Sequence, residues 1–282
     1  MRTSYPAVRR SLLLATLLTL APPLALAQAS TSASQWPSKP VTIVVPFPAG
    51  GGTDAFARPL AAALTKNLGR QFIIDNKGGA GGTVGASLAA RAAPDGYTLF
   101  MGAVHHAIAP SVYPKLDYNI ETDFVPIGLV SSVPQVIVIN AQRMPVADFK
   151  AFLAELRKNP GKYNYASAGN GTSHHLAGEL FKLQSQTFIT HIPYRGAAPA
   201  LVDLLAGQVQ FMFDPGPGLR HAKEGKLKLL AVGSPKRSSQ VPDTPTLAEA
   251  GMAGFDADTI FGIYAPGGTP PLVVKLASSE AR

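Results

Sequence analysis

Three glycine-bearing turns, each placed between an extended run and a helical pattern, constrain this chain more than any other feature. They read AGGGTD at 49–54, GGAGGTVG at 78–85 and SAGNGTS at 167–173. The runs before the first two turns are short and apolar, which is typical of strands buried on both faces. Strands that alternate with helices across short loops favour a parallel sheet with right-handed crossovers.

The same alternation continues along the chain and predicts two α/β lobes. We predict strands at 41–47, 71–75, 97–102, 163–167, 187–193, 210–214 and 228–232, and helices at 54–68, 85–92, 147–158, 176–184 and 198–206. Two extended pieces at 126–140 are separated by Ser131-Ser132, where we expect the chain to change lobes. We assign residues 37–131 plus 257–282 to lobe 1 and residues 132–256 to lobe 2.

The N-terminal segment has the pattern of an export signal. Three arginines precede an apolar run at 12–20, and small residues follow at 25–27. Because this run is shorter than the ~20 residues of a spanning helix, we predict a signal peptide at 1–27 that is cleaved on export to the periplasm. An uncleaved membrane anchor is the alternative. Residues 28–36 are rich in Ser, Ala and Gln and predict a flexible lead-in.

Composition excludes several classes of site. The chain has no cysteine, which excludes disulfides and thiolate metal sites. Its net charge of +8 includes the leader arginines, and no basic run or basic-aromatic alternation is present, so nucleic acid is not an expected partner. The glycine spacing is not G-x-G-x-x-G and no GK[ST] triplet occurs, which disfavours nucleotide binding. We expect no cofactor.

A helix N-terminus presents unpaired N–H groups and a partial positive charge, and glycine lets a ligand approach them. In open α/β sheets the crevice beyond the carboxyl ends of the strands is the usual ligand site. The three turns therefore predict one anion-binding cleft, although any single turn is equally explained as a tight loop.

Several side chains near the turns have two interpretations each. Asp54 either interacts with its helix dipole or pairs with an ammonium group of a ligand. His175 either hydrogen-bonds a ligand or packs against the following helix. Arg195 either attracts a carboxylate or is a solvated loop charge. Asp214 either lines the cleft or begins a turn.

Catalytic and metal chemistry find less support. The pairs His105-His106 and His174-His175 are adjacent in sequence and so point in different directions, which disfavours a metal site. Ser173 lies beside histidines but lacks the second glycine of G-x-S-x-G, and no motif of paired carboxylates occurs. We predict a binding protein and not an enzyme, with a secreted serine hydrolase that uses Ser173 as the alternative.

Residues 36–270 resemble the periplasmic substrate-binding proteins of tripartite tricarboxylate transporters, the Bug-type receptors. The similar segments include WPSKPVTIVVPFPAGGGTDAFAR, NKGGAGGTVGASLAARAAPDGYTLFMG, YNYASAGNGTSHHLAGELF and HIPYRGAAPALVDLLAGQVQFMFD. The resemblance implies a two-lobed periplasmic-binding-protein fold, the type II Venus flytrap. It also implies a monomer that closes on a small carboxylated organic molecule and passes it to integral-membrane transporter subunits. A periplasmic sensor for a signalling partner is equally compatible.

The resemblance also implies a set of ligand-binding residues and no metal. Carried onto this chain, they are Phe47, Pro48, Gly50, Gly51 and Asp54 from the first turn, Gly81 and Thr83 from the second, Ser167, Gly169, Thr172 and His175 from the third, and Arg195 and Asp214. The segment GFDADTIFGIYAP lacks the usual tryptophan, and DPGPG is unusual for the family. Relatives continue beyond 277–282, so we expect a first lobe that is truncated at its C-terminus.

Overall fold

A computed structural model describes residues 36–281 of the protein. The predicted signal peptide, and all of the predicted lead-in except Trp36, lie outside the described residues. Between residues 36 and 281, no helix is both long and apolar enough to cross a membrane.

Two five-stranded sheets form the framework. The first contains β1 (Val41–Val45), β2 (Phe72–Asn76), β3 (Thr98–Ala103), β4 (Phe124–Val133) and β10 (Thr259–Pro266), in the order β2-β1-β3-β10-β4. The second contains β5 (Val136–Ile139), β6 (Asn164–Ser167), β7 (Thr190–Pro193), β8 (Phe211–Asp214) and β9 (Lys228–Val232), in the order β7-β6-β8-β5-β9. The two-lobed α/β fold predicted from the sequence is confirmed.

The parallel sheet predicted from the alternation of strands and helices describes only part of each sheet, since β1 pairs in parallel with β2 and β3, and β6 with β7 and β8. Strand β10 is antiparallel to both of its neighbours in the first sheet, and β5 is antiparallel to both of its neighbours in the second. Each of these strands enters its sheet directly from the other sheet. A helical crossover returns the chain in the same direction, whereas a strand that arrives from elsewhere is not bound by that rule. Both sheets are therefore mixed.

Helices follow most of the strands. They are α1 (Gly52–Leu68), α2 (Thr83–Ala90), α3 (His105–Val112), α4 (Phe149–Lys158), α5 (Ser173–Ser185), α6 (Ala197–Ala206), α7 (Pro217–Lys223) and α8 (Pro271–Glu280), and a 3₁₀ turn at Ala80–Gly82 leads into α2. Helices α3, α7 and α8 were not predicted. A proline inside α3 and prolines at the start of α7 and α8 obscure the helical pattern.

The sequence predicts an interruption at Ser131-Ser132, but strand β4 continues through both serines. Both serines lie within β4, where Ser131 pairs with Phe261 and Ser132 with Ile260. The interruption falls at residues 134–135, because a proline at 134 cannot donate a hydrogen bond to the sheet. The predicted lobe boundaries, at 131/132 and 256/257, stay a prediction.

The position of the third turn depends on close packing of α5 against the second sheet. Gly178 of α5 faces the ring of Tyr165 on β6 so closely that a Cβ atom there would lie 2.2 Å from Cε2 of the ring. Glu179, one residue further along the helix, accepts a hydrogen bond from the hydroxyl of Tyr165 at 2.7 Å. These contacts fix the N-terminal end of α5 over the carboxyl end of β6.

Candidate functional site

The three glycine turns lie where the sequence predicts, between β1 and α1, between β2 and α2, and between β6 and α5. They meet residues of the opposite sheet. The hydroxyl of Tyr113 donates a hydrogen bond to the carbonyl oxygen of Asn170 at 2.7 Å. A Cβ atom added to Gly196 would lie 2.7 Å from Cδ of Pro48. The turns thus enclose a cleft between the two lobes.

Two cavities occupy this cleft, and Phe47 and Ala168 form part of the wall of each. The inner cavity encloses about 320 Å³ when the space at its open mouth is counted. It is lined by Phe47, Gly51, Gly52, Thr53, His105, Ala168, Thr172, Ser173, His174, Ala197, Pro215, Thr259 and Phe261. The outer cavity is lined by Phe47, Gly79, Ala80, Gly81, Tyr113, Ala168, Gly169, Asn170, Pro193, Tyr194 and Arg195.

Helices α1 and α5 both point their N-termini at the inner cavity. The first bond of the α1 ladder runs from the N–H of Ala55 to the carbonyl oxygen of Gly51 at 3.0 Å. In α5 the corresponding bond joins Leu176 to Thr172, also at 3.0 Å. The amides that precede Ala55 and Leu176 have no acceptor within their own helices. Main-chain donors and two positive dipole ends therefore face the same small space.

Asp54 stabilises the first glycine turn through hydrogen bonds of its buried carboxylate. Its side chain is 3% exposed. Oδ2 accepts hydrogen bonds from the N–H of Gly50 at 2.9 Å and from Nε of Arg58 at 2.7 Å. Oδ1 accepts from Nη2 of Arg58 and from Nδ2 of Asn76, both at 3.0 Å. Both oxygens, and the amide of Gly50, are thus already bonded within the protein, which favours the structural interpretation of Asp54.

The electrostatics of Asp54 follow from the same contacts. Burial alone would raise the pKa of this carboxyl, but the hydrogen bonds from Arg58, Gly50 and Asn76 outweigh it and hold the pKa below its ordinary value. A lowered folded-state pKa stabilises the protein above the unfolded-state value. This contribution is lost as the pH falls through the folded-state value.

We expect Asp54→Asn to lower the free energy of unfolding by about 2 kcal/mol at pH 7. The asparagine NH₂ group would replace one carboxylate oxygen and would face N–H groups that now donate hydrogen bonds to that oxygen. Arg58→Ala is the matched control. Since the Arg58 side chain is 53% exposed, its loss should cost less than about 1 kcal/mol. Urea unfolding of both variants measures the difference. Equal stability of Asp54→Asn and the parent would contradict this role.

Six of the predicted ligand-binding residues line the cleft. Phe47, Gly51 and Thr172 line the inner cavity, whereas Gly81, Gly169 and Arg195 line the outer cavity together with Phe47. Pro48 lies beside them, against Gly196 of the opposite lobe. Arg195 is exposed, and within residues 36–281 we find no ion pair or hydrogen bond that engages its guanidinium group. The outer cavity therefore has a cation available to a ligand.

Four predicted residues are directed elsewhere and line neither cavity. Thr83 donates to the carbonyl oxygen of Ala80 at 2.9 Å. The Ser167 hydroxyl is 2.6 Å from Nε2 of His191 and accepts from the N–H of Gly169 at 3.0 Å. Each of these contacts is made within its own lobe. Ligand contact by Thr83 and Ser167 stays a prediction.

His175 and Asp214 are the other two of these four. Nδ1 of His175 accepts from the N–H of Gly171 at 3.1 Å, and its ring stacks on that of His191. Oδ2 of Asp214 accepts from the N–H groups of Gly216 and Gly218 at 2.9 and 2.7 Å. Burial raises the pKa of Asp214 to about 6, against the opposing effect of these two bonds. Ligand contact by either residue also stays a prediction.

Sequence reasoning missed two histidines of the inner cavity. His105, the first residue of α3, and His174, the second residue of α5, are each 5% exposed. Both ring nitrogens of His105 and Nδ1 of His174 are buried and have no hydrogen-bond partner in the part of the chain that the structure describes. The signal was present in the adjacent histidine pairs, but we considered only His175 as a ligand contact and weighed the pairs themselves as metal ligands. Within residues 36–281, no cluster of three or more metal-ligating side chains occurs.

The geometry around Ser173 differs from that of a serine hydrolase. Its hydroxyl oxygen accepts a hydrogen bond from Nε2 of Gln135 at 3.1 Å, and the same amide group donates to Oγ1 of Thr259 at 2.7 Å. Among the described residues, no hydrogen bond joins Ser173 to a histidine. Gln135 instead connects α5 of the second lobe with β10 of the first.

Two mixed α/β lobes with a cleft between them are the architecture of a periplasmic binding protein. Solved structures agree. The periplasmic binding protein BugD is 40% identical and superposes with a TM-score of 0.84, covering 87% of this chain and 82% of that one. The structure titled R. palustris Rpa4515 with adipate is 35% identical with a TM-score of 0.85, covering 87% of this chain and 83% of the other.

Sequence comparison specifies the family. The family model described as tripartite tricarboxylate transporter family receptor matches residues 56–281. Protein BugT of Bordetella pertussis is 38% identical over 251 residues, which cover 88% of this chain and 77% of BugT. A protein encoded in the tcbD-tcbE intergenic region of a Pseudomonas species is 40% identical over 262 residues, which cover 91% of this chain and 78% of that protein. The chain belongs to the tripartite tricarboxylate transporter receptor family.

Proposed function

We propose that this protein is a periplasmic solute-binding protein that captures a small carboxylated molecule between its lobes and delivers it to integral-membrane transporter subunits. The observation that carries the proposal is the convergence of the α1 and α5 N-termini on the inner cavity. Solved relatives support the ligand class, since one is described with adipate and MatC from Rhodopseudomonas palustris, 38% identical with a TM-score of 0.81, is described with bound malate.

The inner cavity would hold a carboxylate through main-chain donors. None of its lining residues is a lysine or an arginine. Amides at two helix ends can bind an anion without a formal counter-charge, because each N–H donates directly and the dipoles add a favourable field. Carboxylates carry several acceptor positions and can accept from both lobes at once. Such a ligand stabilises the arrangement in which the lobes touch.

Arg195 would act at the entrance. Its exposed guanidinium group lines the outer cavity, and Phe47 and Ala168 separate that cavity from the inner one. A cation at the mouth of a cleft attracts anionic ligands and raises their rate of association. We therefore place Arg195 in capture of the ligand and the glycine turns in its retention.

Closure would follow from contacts that only the closed arrangement can make. Phe47 of the first lobe packs with Ala168 and Ala197 of the second, and Tyr113 bonds to Asn170. A ligand shifts a conformational equilibrium only by its difference in affinity for the two states. A carboxylate held by α1 and α5 together supplies that difference.

The proposed function also requires export. The leader at 1–27 would direct the chain to the periplasm and be removed there by cleavage.

A thermal-shift panel tests the proposed function. Each carboxylic acid is paired with its uncharged amide, such as succinate with succinamide and benzoate with benzamide. An acid at ~100 times its dissociation constant adds about 2.7 kcal/mol of stability, so a cognate acid should raise the Tm clearly while its amide does not. Equal shifts by acids and amides would contradict the proposal, as would a panel of acids without any shift.

A further inference from the structure

His105 and His174 approach the inner cavity from opposite lobes. Each is 5% exposed, and both line the same small space beside Thr53 and Ser173. The ring of His105 also lies edge-on to Phe47, with 5.3 Å between the ring centroids. Aromatic packing therefore holds the ring of His105 in place, although its nitrogens have no partner among residues 36–281.

Buried polar atoms are normally hydrogen-bonded, and each one left without a partner costs free energy. Among the described residues, both ring nitrogens of His105 and Nδ1 of His174 are buried without a hydrogen-bond partner. Because the nitrogens belong to residues that line the inner cavity between the lobes, we expect their partner to be a ligand atom. The neighbouring His106 differs, since its Nδ1 accepts a hydrogen bond from the N–H of Ala103 at 3.0 Å. Its Nε2 also lacks a hydrogen-bond partner among the described residues, but His106 does not line the cavity.

The two imidazoles are neutral near pH 7. Burial, together with the neighbouring His106 and His174, holds the pKa of His105 well below its ordinary value. Burial lowers the pKa of His174 to about 4. A neutral imidazole has one nitrogen that donates and one that accepts. A pair of neutral imidazoles therefore suits a group that both donates and accepts.

A hydroxyl group is such a group, whereas an ionised carboxylate only accepts. The inner cavity contains no lysine or arginine that would compensate a second negative charge there. Resting on the proposed function, we propose that His105 and His174 bind a hydroxyl group of the ligand, so that this protein selects hydroxy acids over the corresponding unsubstituted acids. The glycine turns bind the ligand carboxylate, and the two imidazoles bind its hydroxyl group.

Pairs of acids that differ by one hydroxyl group test the inference. Isothermal titration calorimetry compares malate with succinate, 3-hydroxybutyrate with butyrate, and mandelate with phenylacetate. In the pair that binds best, we expect the hydroxy acid to bind about tenfold or more tightly than its partner, because the unsubstituted acid leaves the ring nitrogens unpaired.

Variants assign that preference to the two rings. His105→Leu and His174→Leu should each reduce it to less than about threefold, with little change for the unsubstituted acid. Without ligand, neither variant should have a lower Tm than the parent, because each removes buried nitrogens that lack partners. His105→Gln and His174→Gln retain a donor and an acceptor and should keep part of the preference. His221→Leu is the control outside the cleft, since its side chain lines neither cavity. Among the described residues, Nδ1 of His221 is also buried without a hydrogen-bond partner, although it lies 3.7 Å from Oε2 of Glu224.

Three results would overturn the inference. They are a preference below threefold in every pair, a preference that persists in both leucine variants, and uptake of about one proton on binding, measured in buffers of different ionisation heat. The last would show a charged group against the imidazoles. Binding of acids without hydroxyl discrimination would refute only this inference, whereas failure of every acid to bind would refute the proposed function as well.

Discussion

We expect Gly51→Val to weaken binding of the cognate acid at least about 100-fold while the protein still folds. Gly51 precedes α1 and lines the inner cavity, so the branched side chain would occupy the space in which the ligand meets the helix amides. Its φ of −83° is open to any L-residue. A Cβ atom there would meet nothing closer than the carbonyl oxygen of Pro48 at 3.6 Å, an ordinary contact. Binding, not folding, should therefore be lost.

Gly51→Ala is the matched control for this experiment. Its single methyl group fits the available space, so we expect a smaller loss of affinity and an unchanged Tm without ligand. Calorimetry with the best acid from the thermal-shift panel measures all three proteins. If Gly51→Val binds like the parent, the first glycine turn does not hold the ligand.

We expect the second large effect on acidification, where the free energy of unfolding should fall by about 3 to 6 kcal/mol between pH 7 and pH 4. Burial lowers the pKa of His106 to about 4, although backbone hydrogen bonds with Ala103 and Gly82 oppose the shift, and burial lowers the pKa of His174 equally. His105 shifts in the same direction. Since the unfolded chain takes up these protons near pH 6.5 and the folded chain does not, stability is lost as the pH falls below that value.

Two carboxyls act in the opposite sense, because burial raises the pKa of both Asp214 and Asp258. The folded-state pKa of Asp214 is raised to about 6, so its burial is least costly at low pH and most costly above pH 6. Asp214 offsets about one histidine, because burial raises its pKa to about 6 and lowers the pKa of His174 to about 4, and each of these departures is worth roughly 3 kcal/mol. The histidines therefore dominate, and the sign of the overall effect is a loss of stability.

Urea unfolding followed by circular dichroism at pH 7, 5.5 and 4 measures the acid effect. His174→Leu should reduce the slope near pH 5 by about 1.4 kcal/mol per pH unit, the contribution of one proton. A parent whose stability does not change over this range would show that the three rings are not buried in the neutral form. An unchanged slope in His174→Leu would remove that residue from the explanation.

Much of the fold was readable from local patterns. The strand at Lys228–Val232 has the bounds predicted, and the three glycine turns lie between strands and helices as expected. These signals are local, since they depend on side-chain period and on glycine at a helix start. The direction of β5 and β10 was not readable, because the choice of neighbour depends on where the other lobe delivers the chain.

The site was predicted less completely for a similar reason. Main-chain donors at a glycine turn follow from the sequence, and Phe47 and Gly51 do line the cavity. Which side chains remain available depends on distant partners. Asn76 and Arg58 form hydrogen bonds with Asp54, and His191 forms one with Ser167. The ring nitrogens of His105 have no hydrogen-bond partner within residues 36–281. Sequence spacing cannot distinguish a bonded polar group from an unbonded one.

A crystal structure of the complex with the best-binding acid tests the central claim most directly. We expect a ligand carboxylate in the inner cavity, within hydrogen-bonding distance of first-turn amides of both α1 and α5. A carboxylate seated outside the cleft, or held mainly by a bound metal cation, would contradict the claim that unpaired main-chain donors of the two lobes hold the ligand.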